Sequence, residues 1–424
     1  MRIPLLLILF SFSLQSCTRR ESAFTVWIGG APQEADYWET LVREFQRQTG
    51  TDARVVRQPT DSDQRRQGLV ISLESRQPDP DVFLMDVVWI GQFALSHWLE
   101  PLTTYMTHDT ITMEPFFQRI IGQVDRYHDS LYALPVYVDG GLLYYRADLL
   151  KKYGIANPPN TWDELRDDAV KVQSGERRTD PDFNGFVWQG AQYEGLVCTF
   201  LEFAASNNGG IIAHDTIDLA TDPNVQALQF MRDLIHTYHI SPPNTFTEMR
   251  EEEVRRAFQS GNALFERNWP YAWKLHQSPA SSVRGKVGIA PLPHFGGGES
   301  VSTLGGWHIG ISRFSDEKEA AWNFVKFVTS YEVQKQLAVN LGWNPGRRDV
   351  YADPDVLKTL PYLDRLQEVF DHAVARPNVP YYAQVSDMMQ RYLNDCLAGK
   401  ESPREALASV QKEIERITRV YGQQ

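Results

Sequence analysis

Between Tyr132 and Leu165 the chain reads YALPVYVDGGLLYYRADLLKKYGIANPPNTWDEL, and few architectures accommodate that order of elements. Val136 and Val138 belong to one β-prone apolar run and Leu142 to Tyr145 form a second. Asp139-Gly140-Gly141 between them has the composition of a turn that exposes a carboxylate. A short helix follows, and Asn157-Pro158-Pro159 then resets the backbone. Thr161 is placed to cap a helix whose N3 residue is Glu164, a T-x-x-E box in which hydroxyl and carboxylate each satisfy an orphan backbone donor. Strand, turn, strand and capped helix packed this closely point to an α/β chain.

The same alternation runs through the rest of the chain without repeats or low-complexity stretches. Strands are expected at Phe24–Ile28, Ala53–Arg57, Val82–Met85, Ala263–Glu266, Val287–Pro291 and Gly310–Ser312. Helices are expected at Glu34–Thr49, with Trp38, Leu41, Val42 and Phe45 on one face and Gly50 as the stop, and at Asp61–Ser75, Thr161–Val172, Glu194–Asn207, Asn224–Tyr238 and Glu248–Ser260. One long helix is expected over Asp316–Asn340, opened by Asp316 and Glu319 as a capping box, with Trp322, Val325 and Val328 inward. Helices over Leu363–Ala373, Val385–Ala398 and Glu405–Val420 close the chain.

The amino terminus, MRIPLLLILFSFSLQSC, has one basic residue, a short apolar run and a small residue before Cys17, the pattern of a secretory signal. Leu14-Gln15-Ser16-Cys17 reads as a lipobox whose cysteine receives a lipid after cleavage, with residues 17–23 as a polar tether; the alternative is a plain signal peptide cut elsewhere. Residues 17–424 are long enough for two domains, each with its own core. A formal net charge of −12, with no basic run beyond pairs such as Arg65-Arg66, argues against nucleic-acid binding. Cys198 and Cys396 either pair or are buried free thiols.

The YVDGG segment, together with WPYAW at 269–273 and GGW at 305–307, closely resembles the extracellular solute-binding proteins of ABC sugar importers, in the subgroup that carries trehalose and maltose. The resemblance extends over essentially the whole mature chain. It implies a two-lobed periplasmic-binding-protein-like (type II) fold with a hinge and an interlobe cleft. The N-terminal lobe would comprise residues 24–136 plus 289–341, and the C-terminal lobe residues 137–288 plus 342–424. It implies an exported, membrane-anchored monomer facing the periplasm or cell exterior, with no cofactor. Its partners would be a di- or oligosaccharide, the transmembrane permease subunits, and the membrane itself through lipid on Cys17.

Sugar recognition combines flat aromatic faces for the C–H side of a pyranose with charged groups that orient its hydroxyls. By the resemblance, Tyr137, Asp139, Trp269, Tyr271, Gly306 and Trp307 contact the sugar, the last four from loops. Asp86 is the first-lobe carboxylate, Thr60 and Arg65 are helix-start contacts, Glu34 is the acid after the first strand, and Arg376 is a late arginine. Each has a plainer reading. Trp269 and Trp307 are alternatively core aromatics, Asp139 a turn-former and Asp86 a helix cap, while Glu34, Arg65 and Arg376 are alternatively solvated charges. Gln33 and Arg66 compete with their neighbours Glu34 and Arg65 for the aligned positions.

Asp180-Pro181-Asp182-Phe183-Asn184-Gly185 imitates half a calcium loop, but Ala191 stands where the bidentate acid belongs, so it reads as a hairpin turn. The ten histidines form no zinc pattern, and Gly296-Gly297-Gly298 lacks the Lys-Ser/Thr of a phosphate loop. The implied function is capture of a glucosyl disaccharide such as trehalose or maltose by lobe closure, without catalysis. The alternatives are an exported glycoside hydrolase using Asp86, Asp139 and Glu34, and a sugar-sensing lipoprotein outside transport.

Overall fold

The computed structural model describes residues 23–421, apart from 110–111, 214–215, 364–365, 367–368 and 371–372. The export signal and Cys17 therefore lie outside the described residues, as does part of the expected Leu363–Ala373 helix. The main strands are β1 (Phe24–Gly29), β2 (Ala53–Gln58), β3 (Val82–Asp86), β4 (Leu134–Gly140), β5 (Leu142–Arg146), β6 (Asn184–Val187), β7 (Ala263–Asn268), β8 (Val287–Ala290) and β9 (Leu304–Ile311). They form a five-stranded sheet of order β2-β1-β3-β9-β4 and a four-stranded sheet of order β8-β5-β7-β6. The main helices are α1 (Pro32–Thr49), α2 (Ser62–Glu74), α3 (Trp162–Glu176), α4 (Glu194–Ala205), α5 (Asp222–His236), α6 (Glu251–Gln259), α7 (Lys318–Val328), α8 (Tyr331–Leu341), α9 (Tyr382–Leu397) and α10 (Pro403–Tyr421).

Each sheet is the centre of a lobe. In the first, α1 buries Trp38, Leu41, Val42 and Phe45 as its periodicity requires, and Gly50 at φ 76° ends it. Phe45 meets Phe324 of α7 edge-on at 5.0 Å. In the second lobe the expected capping box forms: the Thr161 hydroxyl accepts from the Glu164 amide at 3.2 Å, and the Glu164 carboxylate accepts from the Thr161 amide at 3.1 Å. That start seats Trp162 on Phe203 of α4, ring centroids 3.9 Å apart, with its indole N–H donated to Ser206 at 3.0 Å. Cys198 and Cys396 are both buried free thiols.

Several local expectations are corrected. Asp139 and Gly140 are the last residues of β4 rather than a turn, and Gly141 alone separates β4 from β5. The two strands do not pair; they belong to different sheets, so the chain passes between lobes in one residue. Gly141 suits that step because a Cβ there would stand 2.1 Å from a Glu202 carboxylate oxygen. Gly305-Gly306-Trp307 lies inside β9, not in a loop, since this run is zipped between β3 and β4. Val287–Ala290, expected to lead back to the first lobe, is still an edge strand of the second sheet, and β9 makes the return.

The long helix over Asp316–Asn340 is two helices. Thr329 and Ser330 donate their hydroxyls to the Val325 and Phe327 carbonyls, both at 2.7 Å, and Ser330 then caps α8. Glu317 is the N-cap of α7 and makes no side-chain cap bond, so Asp316 does not open a capping box. Asp180–Asp182 joins α3 to β6 rather than turning a hairpin. Among the described residues no helix is long and apolar enough to cross a membrane, and no His, Cys, Asp and Glu cluster is arranged to hold a metal.

Candidate functional site

Strand register assembles the centre of the site. Trp307 of β9 pairs with Asp86 of β3 on one side and Tyr137 of β4 on the other, and Gly305 pairs with Asp139. Paired residues share a face, so aromatic, carboxylate and phenol stand in one row across the first sheet. Gly306 sits at φ 132°, and a Cβ there would lie 2.5 Å from the Tyr137 carbonyl, so only glycine permits this register.

Around that row lies a cavity of about 330 Å³ between the two lobes, within the range of small-ligand sites. Every residue named above as a sugar contact lines it: Glu34, Thr60, Arg65, Asp86, Tyr137, Asp139, Trp269, Tyr271, Gly306, Trp307 and Arg376. Of the adjacent competitors, Gln33 and Arg66 face other cavities.

The side chains are held in fixed poses. Arg65 is buried, its guanidinium 3.7 Å above the Trp307 ring and one nitrogen donating to the Thr60 carbonyl at 3.0 Å. Burial lowers its pKa from the usual arginine value, opposed by nearby Tyr137, Glu34 and Asp86. Trp307 also meets Trp89 edge-on at 5.2 Å. Tyr137 lies against Trp343 with centroids 4.1 Å apart, and the Trp343 indole N–H donates to Glu34 at 3.0 Å. Glu34 accepts a further bond from the Ala31 amide at 2.7 Å. On the second lobe, Arg267 lies 4.0 Å over the Trp269 ring, and Tyr271 donates to Glu252 at 2.9 Å. Asp86 caps the turn after β3 through the Val88 amide at 3.2 Å and also accepts from Arg376 at 2.9 Å, so the capping and cleft readings are both realised.

Asp139 differs from these. Its carboxyl group has no hydrogen-bond or ion-pair partner among the described residues. Burial, with repulsion from Glu34, pushes its pKa up to about 8, against a weaker pull from Arg267 and a further push from Asp86. At pH 7 the group is therefore largely the neutral acid. Its pKa is raised above the unfolded value of 3.8, so its contribution to stability is full below that pH and is lost as pH rises through about 8. Asp139→Asn is expected to be more stable than the parent in urea unfolding at pH 8, the difference shrinking toward pH 4. An unchanged difference across that range would count against the assignment.

Sequence reasoning missed several residues of the same cavity. Trp343, in Gly342-Trp343-Asn344-Pro345-Gly346, carries the glycine and proline flanks that singled out the other tryptophans. Asp61 and Arg250 form an ion pair from opposite lobes at the cavity, and Arg250 lies 4.9 Å over the Tyr193 ring. Glu194 and Glu251 open helices, a position at which an acid needs no ligand to explain it.

The family model described as bacterial extracellular solute-binding protein matches residues 31–335. A probable ABC transporter-binding protein of Deinococcus radiodurans is 38% identical over 376 residues, 88% of each chain. A maltotriose-binding protein of Pyrococcus abyssi is 25% identical over 94% of this chain and 81% of its own length. Among solved structures, maltose-bound MalE3 of T. maritima superposes with a TM-score of 0.88 at 39% identity, covering 93% of this chain and 99% of that one. The fold is the two-lobed α/β fold of type II periplasmic sugar-binding proteins, and the chain belongs to the bacterial extracellular solute-binding protein family.

Proposed function

We propose that the protein is the sugar-binding subunit of an ABC importer, capturing a glucosyl disaccharide such as maltose or trehalose between its lobes and delivering it to a membrane permease. The observation that carries this reading is the cavity itself. It combines the aromatic rings of Trp307, Trp269 and Tyr137 with Asp139, whose carboxyl group has no hydrogen-bond partner among the described residues. The likeness to a maltose-bound structure supports the ligand class. In this reading the lobes divide as the two sheets divide, ligand contacts from both sides favour the closed state, and the permease recognises that state. Cys17 carries a lipid that tethers the exported monomer. No bond of the sugar is broken: hydrolysis requires two working carboxyls roughly 5 to 9.5 Å apart, whereas Glu34 and Asp86 are engaged by Trp343 and Arg376.

Calorimetry with maltose, trehalose, sucrose and their monosaccharides, followed by product analysis of the same mixtures, tests the reading. A disaccharide is expected to bind in the micromolar range or tighter and to be recovered intact. Glucose release at catalytic turnover, or no heat with any of these sugars, would sink it.

A further inference from the structure

We infer that Glu194, which the sequence did not single out, is a positioning residue: with Arg376 and Asp86 it forms a buried bridge across the cleft that holds the lobes in the arrangement where the binding residues meet. The inference rests on the closure mechanism proposed above. Asp86 ends β3 of the first sheet, whereas Glu194 opens α4, whose apolar face is packed into the second lobe. Arg376 spans them, donating one terminal nitrogen to Glu194 at 2.7 Å and the other to Asp86 at 2.9 Å. The side chains of Arg376, Glu194 and Asp86 are 2%, 10% and 13% exposed.

Two features give the bridge a structural rather than a ligand-reading role. Glu194 is also held by Tyr382, which donates at 2.6 Å, and by Ser386, so its oxygens are occupied by the protein. Arg376, expected from the family resemblance to contact sugar, has both terminal nitrogens committed to carboxylates of opposite lobes. Charge-assisted bonds of this kind are strong, and removing either carboxylate leaves Arg376 held from one lobe only. The Asp61–Arg250 pair also crosses the cleft, but Arg250 is 42% exposed, so screening makes that contact the weaker of the two.

The test compares the parent with Glu194→Gln, which keeps size and one acceptor oxygen but removes the charge and turns the other acceptor into a donor. Stopped-flow tryptophan fluorescence with maltose is expected to give dissociation faster by about tenfold or more, with association changed by less than about threefold. Small-angle scattering is expected to show a larger radius of gyration for the variant than for the parent, with and without maltose. Asp86→Asn probes the bridge from its other end, and the double variant should cost less than the sum of the singles because both act through Arg376. Parent-like dissociation and an unchanged radius of gyration in folded Glu194→Gln would overturn the inference, even if its melting temperature fell. Should Glu194→Gln not fold, Asp86→Asn and Arg376→Gln carry the same comparison. Failure of the parent to bind any sugar would instead count against the proposed function, and the ligand-free scattering comparison would still decide the bridge.

Discussion

Trp307→Ala is expected to weaken maltose binding by about a hundredfold. The indole does two jobs at once. The ring lines the cavity, where it would cover the apolar side of a pyranose, and the Arg65 guanidinium lies 3.7 Å from its centroid. An aromatic contact contributes about 1 kcal/mol beyond its area and a desolvated cation–π pair up to about 2 kcal/mol. Losing the aromatic contact together with the apolar area the indole would bury on a sugar ring, about 2.7 kcal/mol, corresponds to a hundredfold in affinity; the cation–π pair exists with and without ligand, so its loss lowers stability instead. Trp307→Phe retains a face of smaller area and should fall between parent and alanine variant. Calorimetry on all three decides it, and an alanine variant within threefold of the parent would show that the ligand sits elsewhere. Because Trp307 is central to β9, circular dichroism should accompany the titration, so that lost binding is not confused with a lost strand.

Glu202→Gln should produce the largest change in stability, about 3 to 5 kcal/mol, the usual cost of removing one partner from a buried ion pair. Arg267 is fully buried, Glu202 is 1% exposed, and two bonds join them, Nε to Oε2 at 2.7 Å and Nη2 to Oε1 at 2.5 Å. The pair packs beneath Gly141, where the chain changes sheets, and Arg267 supports the Trp269 ring at 4.0 Å. Losing Glu202 would therefore strand a charge at the crossing and loosen one aromatic wall of the cavity. The urea midpoint should fall and maltose affinity should weaken together. The double variant Glu202→Leu with Arg267→Met should recover much of the stability but not the affinity, since no guanidinium then lies over Trp269. A single variant as stable as the parent would mean the pair contributes nothing net.

How much of this was legible in the residues depended on how local the signal was. The Thr161 capping box, the apolar face of α1 and its Gly50 stop depend on neighbours within a few positions, and they form as read. Asp139-Gly140-Gly141 and Gly305-Gly306-Trp307 were misread because glycine-rich runs normally mark turns. Here the glycines serve close approach within strands, a requirement set by Glu202 and Tyr137, which are distant in sequence or lie on another strand. The break at Thr329-Ser330 was hidden by an apolar period that continues through it. The residues that line the cavity came from family likeness more than from chemistry. Arg376 illustrates the difference: likeness placed it at the cleft, but only the fold shows that carboxylates of both lobes occupy it.

The place of β9 in the first sheet bears on how such a chain comes off the ribosome. It is inserted between β3 and β4, yet it follows the last strand of the second sheet in the sequence. Of the two large sheets, the one begun first is thus closed last, with a gap between two of its strands until residues 304–311 arrive. Domains generally fold as units as they emerge, so this one must wait. For a protein bound for export the delay is useful, because a chain that has not closed its first sheet can still be threaded through a membrane channel.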